Sequence, residues 1–419
     1  MRLNLTVPAF LSIVVTAVGA TARAQGIPQD GFPNWQERTM WVFVNRDRAD
    51  PETALLSCTV GCPDAFCYKA PLIPLAYNLQ LSHSARLQPT ILAENNVTLM
   101  HPSPCVLNPD IAETYPDECD GGTDCVCQTP VQCSFPPNSQ DCLCGEDTSD
   151  TSKFENPDAR IRLFAPGSSV YAENLAAGQV DPQVAESWLL DENCTCCPAF
   201  ACVAIECPAD GGTNGHRANL MSTAVNSIGL GAVEAPQSDC YHTAPASYYW
   251  GQDFAFFDSA VVLKIVAGSH FPQSGTSLSF YANWFDPQDG APKNASVIID
   301  SQSHAMTVDR GSGGNATYVY DATLPTGSCK PYSFAFTDAA GNAVTLPVSG
   351  TYLAGDKCGA DYAVASGCAT GAGEPWFGGL LLAAGLLRSR VKFRVRSGVK
   401  NRIERRASRN RGRMLTKWQ

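Results

Sequence analysis

The residues of this chain best suited to chemistry are its nineteen cysteines and six histidines. The close-set groups Cys125-Val126-Cys127, Cys142-Leu143-Cys144 and Cys194-Thr195-Cys196-Cys197 raise the question of thiolate metal centres. Zinc-type spacing with paired C-x-x-C units is absent, however, and an exported chain keeps such cysteines as disulfides. Sixteen cysteines fall between Cys58 and Cys240, Cys329 and Cys358 stand apart in the sequence, and Cys368 is left over near the C-terminus. Cys329 and Cys358 are expected to pair, closing a loop with stabilisation on the order of 3 to 4 kcal/mol. Of the histidines, His83 falls on a helical pattern and reads as structural, and His242, His270 and His304 have no evident partners in the sequence.

Export is read from the N-terminus. Arg2 precedes the apolar stretch AFLSIVVTAVGA, and Ala22-Arg23-Ala24 places small residues where a signal peptidase cuts, so residues 1–24 are expected to be removed. The formal charge of -11 conceals an asymmetry. Residues 25–367 hold 14 Lys/Arg against 38 Asp/Glu, a net of -24, whereas residues 388–419 hold thirteen Lys/Arg and Glu404 as the one acid. An acidic body of this kind repels phosphate backbones and argues against nucleic-acid binding.

Several elements must position whatever site exists. Asn34 followed by Glu37 predicts a capped, buried helix over WQERTMWVFVNRDRAD, closed at Asp50-Pro51. A second helix is expected from Asn78 through Leu92, kinked or divided by Pro89, leading into His101. Asp181-Pro182 starts a third, and GHRANLM is a short helical segment. SIGLGAV and YYWGQDFAF read as strands. Cysteine-rich insertions are expected at 105–153 and 194–207, either as walls of a cleft or as braces for long loops. Over 258–358 six short strands are expected: VVLKIVAG, TSLSFYANWF, ASVIID, TYVYDATL, YSFAFTDAAG and VTLPVSG.

The order of NRDRADP, the helix ending at His101, AENLAAG, a Trp188-bearing helix, GHRANLM, IGLGAV and YYWGQDF resembles the CAP (sperm-coating-protein-like) superfamily over about residues 36–257. The resemblance implies an α+β chain: a CAP-type α-β-α sandwich over 25–257, followed by an all-β Ig-like or fibronectin-like sandwich over 258–358 that acts as a spacer. It also implies that His101, Glu173 and His216 meet in a cleft, with Asp191, three residues after Trp188, as a further acid. Two imidazoles and carboxylates suit Zn²⁺ or another divalent cation with a position open to water. The expected function is binding of an extracellular lipid, protein or peptide. The rivals are a metal-dependent hydrolase, with Glu173 or Asp191 taking a proton from metal-bound water, and a structural adhesin.

At the C-terminus, Gly367-Cys368, a linker over 359–374, the apolar PWFGGLLLAAGLL and the basic flank through Arg390 resemble the MYXO-CTERM sorting tail of bacterial surface proteins. That resemblance implies membrane association through the segment 375–390, display at the cell surface or outer envelope, and processing at Cys368. A plain anchor is the alternative. The basic extension 391–419 has no periodicity and reads as disordered.

Overall fold

The computed structural model describes residues 28, 31–56, 67–94, 99–103, 106–107, 111–115, 127–129, 156–190, 215–235, 246–288 and 290–363. These all fall within one compact unit, Met1–Ser366. The leader, most of the insertion at 105–153, the whole of that at 194–207, Asp191, Cys368, the apolar C-terminal segment and the basic tail lie outside the described residues. No described helix is long and apolar enough to cross a membrane.

The chain is α+β. Helix α1 (Trp35–Ala49) carries the capping box that Asn34 and Glu37 predict: Glu37 N donates to Asn34 Oδ1 at 2.9 Å and Asn34 N to Glu37 Oε2 at 3.0 Å. Glu37 is itself buried, and it also accepts from Arg86 Nε at 2.8 Å and from the backbone of Ala232 at 3.1 Å. The cap therefore ties α1 to the elements that cover it. Asp50 ends α1 and, through its side chain, receives Thr53 N at the start of a further short helix, α2 (Pro51–Leu56).

A four-stranded sheet lies next to α1. Its order is β1 (Ala76–Tyr77), β5 (Ser227–Glu234), β6 (Tyr248–Phe256), β4 (Ser169–Ala177), antiparallel except for the β1–β5 pair. Strands β2 (Val106–Leu107) and β3 (Cys127–Thr129) form a separate small ribbon. Helix α3 (Leu79–Glu94) lies on one face of the four-stranded sheet, with α4 (Ile111–Thr114) and α5 (Pro157–Phe164) beside it. The opposite face carries α1, α6 (Pro182–Leu190) and α7 (Gly215–Leu220), packed around Ile228, Leu230 and Trp250.

Three glycines set how closely α3 approaches the sheet. A Cβ on Gly229, Gly231 or Gly251 would run into the α3 backbone at Leu81, Ser82, Ala85 or Arg86. Of the two outcomes expected at Pro89, division does not occur, because α3 runs from Leu79 to Glu94 through it. Pro89 has no N–H to offer the carbonyl four residues earlier, which is that of Ala85. That carbonyl faces the space left by Gly231 and Gly251, so the missing bond falls at the closest helix–sheet contact.

Residues 265–363 form two further sheets. One is β11 (Thr307–Ser312), β12 (Asn315–Thr323), β8 (Ser277–Phe285), β7 (Ile265–Phe271). The other is β10 (Gln302–Ala305), β9 (Asn294–Ile299), β13 (Lys330–Thr337), β15 (Thr351–Ala354), β16 (Tyr362–Ala363), with β14 (Ala343–Leu346) paired to β13. They share a core that includes Phe280, Trp284, Val297, Tyr332, Phe334 and Phe336. Cys329 and Cys358 are bridged, their Cα atoms 4.8 Å apart.

The outer face of the first of these sheets packs on α1. Phe43 meets Phe271 and Tyr281 edge-on at 5.7 and 5.6 Å, Thr39 Oγ1 lies 2.7 Å from Ser269 Oγ, and Asn283 donates to Val42 O at 3.2 Å. Arg46 and Asp47 of α1 pair reciprocally with Asp309 and Arg310 of β11. Covered on both sides, α1 is buried almost all round, its polar Glu37, Arg38, Asn45 and Arg48 included.

Candidate functional site

Strand β4 is an edge strand, and its residues alternate between the two faces of the sheet. Glu173 points toward the α3 and α5 side, Asn174 toward the α7 side. Each secures one of the two candidate histidines. His101 Nδ1 lies 2.8 Å from Glu173 Oε1. With a carboxylate as acceptor the ring donates from Nδ1, which leaves Nε2 as the lone-pair nitrogen. On the other side, Asn174 Nδ2 donates to the backbone carbonyl of His216 at 3.1 Å and to Gln252 Oε1 at 2.9 Å. Asn219, one turn after His216, donates in turn to Asn174 Oδ1 at 2.9 Å. The imidazoles of His101 and His216 thus meet around the edge of β4, with ring centroids 6.4 Å apart and planes tilted by 41°.

The backbone around His101 is held as firmly as its ring. Gln88 of α3 donates to Met100 O at 2.8 Å and Pro102 O at 3.1 Å. Arg160 of α5, wholly buried, donates to Ser103 Oγ at 2.8 Å, Gln88 Oε1 at 3.0 Å and His101 O at 3.2 Å. Its other terminal nitrogen pairs with Glu173 Oε2. Both carboxylate oxygens of Glu173 are therefore engaged, one by Arg160 and one by His101, and Glu173 is 7 % exposed. His101 itself is open to solvent, its side chain 48 % exposed.

Behind Glu173 lies an acid that the sequence motifs do not single out. Asp253 of β6 is the direct cross-strand neighbour of Glu173 and is 0 % exposed. Burial, and next the charge of Glu173, hold its carboxyl well above the usual carboxylate range, with Arg160 opposing. Asp253 accordingly favours its neutral form far more than a free aspartate does. In YYWGQDF it shares its face with Gly251 and Tyr249 toward α3, so period-2 alternation alone puts it inside. Arg160 lies in no motif, and no sequence signal marks it.

Of the expected residues, His101, Glu173 and His216 are brought together, while Asp191 lies outside the described residues. Among the described residues, no three His, Cys, Asp or Glu side chains converge as tightly as a multidentate metal centre does. The donor set fits a cation held by two imidazoles and completed by water, in contrast to a closed four-ligand site. The remaining described histidines are structural: His83 packs among Phe32, Tyr115 and Phe164, His270 bonds Tyr332, and His304 stacks on Tyr320, while His242 lies outside the described residues. No family model matches the chain, and no curated protein matches it, so the reading of this cleft rests on its residues and their geometry.

Proposed function

We propose that the chain is a surface-displayed binding module of the CAP type, exported and retained at a bacterial envelope through its C-terminal segment, and that its cleft holds a divalent cation such as Zn²⁺ between His101 and His216. The observation that carries this reading is that neighbouring residues of one edge strand hold the two histidines from opposite faces of the sheet. The CAP assignment draws on the order of the sequence segments and on helices lying against both faces of the four-stranded sheet. Beyond residue 257 the Ig-like reading draws on two antiparallel sheets around one core.

His101 Nε2 and the His216 ring would hold the cation, and Glu173, braced by Arg160, orients the His101 ring, as carboxylates do behind metal-bound histidines. Bound there, the ion supplies a Lewis-acidic point for a carboxylate, phosphate or carbonyl of an extracellular lipid, protein or peptide. Binding is favoured over hydrolysis because, among the described residues, the two acids nearest the cleft are poorly placed to act as a base. Glu173 is fully engaged, and Asp253 is buried behind it.

Calorimetric titration of the metal-free full chain with Zn²⁺ tests the proposal. One ion should bind per chain, and His101→Ala and His216→Ala should each weaken binding by at least about tenfold. Equal affinity in wild type and both variants removes the site.

A further inference from the structure

A second cavity, of about 310 Å³, lies at the seam between the N-terminus of α1 and the β-sandwich. Its hydrogen-bonding lining comes from Asn34, Gln36, Gln273, Ser274 and Asp361. Much of that capacity is uncommitted. Asn34 uses Oδ1 for the helix cap and keeps its amide N–H groups, and Asp361 uses Oδ2 for Arg38 and keeps Oδ1. Among the described residues the side chains of Gln36, Gln273 and Ser274 make no hydrogen bond.

The rim is rigid. His270 Nε2 lies 3.0 Å from Gln273 O and its Nδ1 lies 2.9 Å from Tyr332 Oη, which fixes the turn that presents Gln273. The facing loop is held by the Cys329–Cys358 bridge and by Asp356, which accepts from the backbones of Gly327 and Ser328 at 2.9 and 3.0 Å. Trp35, whose ring nitrogen bonds His270 O, forms part of the floor.

The chemistry of this lining selects among ligands. No lysine or arginine lines the cavity, and His270 is kept neutral by burial, so an anion would find no cationic partner in the lining. A metal ion would find a single carboxylate already shared with Arg38. An apolar ligand would bury the amide groups unpaired. A neutral polyhydroxyl molecule both donates and accepts at each oxygen and matches three carboxamides, a hydroxyl and one carboxylate oxygen. We infer that this cavity is a carbohydrate site that takes one pyranose unit. It is separate from the His101 cleft and does not rest on the function proposed for it.

Saturation-transfer NMR and calorimetry on the full chain, with glucose, N-acetylglucosamine and maltose as probes, test the inference. At least one probe should bind saturably with a Kd of about 1 mM or below. Gln36→Ala and Gln273→Ala, which remove side chains outside the cores, should each weaken it at least about tenfold while leaving the melting temperature unchanged. His101→Ala should leave sugar binding intact. Failure of all three sugars to saturate, undiminished binding in both glutamine variants, or saturable binding of inorganic phosphate or Ca²⁺ lost in the same variants would overturn the assignment.

Discussion

Glu173 and Asp253 face one another across β4 and β6, and the single guanidinium of Arg160 lies with them. Two buried carboxyls beside one cation cannot both be ionised cheaply, and burial with the neighbouring charge pushes the Asp253 carboxyl up. The folded state thus holds a proton that the unfolded chain releases above the ordinary aspartate pKa. Stability from this group is fully present below that value and declines as pH rises toward the raised folded value. Asp253→Asn, which mimics the neutral acid, should therefore unfold at a higher urea concentration than wild type at pH 7, and the difference should shrink toward pH 4. A gap that stays constant across this range would show that Asp253 is not held neutral. The histidines and Glu173 were legible in the sequence because they sit in ordered motifs. Alternation in YYWGQDF puts Asp253 on the inner face but does not show that Glu173 lies opposite it, and Arg160 sits in no motif; both depend on where α5 and β6 meet β4.

At the scale of elements, the position of α3 depends on what the sheet leaves out. Gly229, Gly231 and Gly251 let the helix backbone rest on the strands, and Pro89 places its orphaned carbonyl partner over the same hollow. Gly231→Ala should be far more damaging than a change of one methyl suggests, destabilising by about 3 kcal/mol or more, since the added carbon meets backbone that cannot rotate away. Chemical denaturation measures this, and a loss below about 1 kcal/mol would mean that the helix can lift off the sheet. The helices α1, α3, α6 and α7 and the strands β5 and β6 were readable from caps and periodicity. The continuity of α3 was not, because proline's effect depends on the surface beneath it, which the sequence does not show. Strands β10 and β11 were also missed. QSHA and TVDRGS are polar and largely exposed, and what makes them strands is pairing with β9 and β12.

For the whole molecule, α1 is the shared wall. Its inner side faces the four-stranded sheet and its outer side, with Phe43, faces β7 and β8. Residues 1–257 expressed alone would expose that outer side, together with Arg46 and Asp47 stripped of their partners on β11. Such a truncation should aggregate or bind a hydrophobic dye strongly, as judged by size-exclusion chromatography and fluorescence. A monomeric, cooperatively folding fragment would show that the seam is dispensable. A division at about residue 258 is legible in the sequence but the seam is not, because the residue pattern of α1 does not say which neighbours cover it. The ribosome meets the same arrangement in time. Trp35 and its hydrogen-bond acceptor His270 are separated by 235 residues. At ordinary elongation rates that separation means a wait of roughly 12 to 47 s before the last wall can arrive. Throughout that interval one flank of α1, the first of the described helices to be made, is without the strands that cover it.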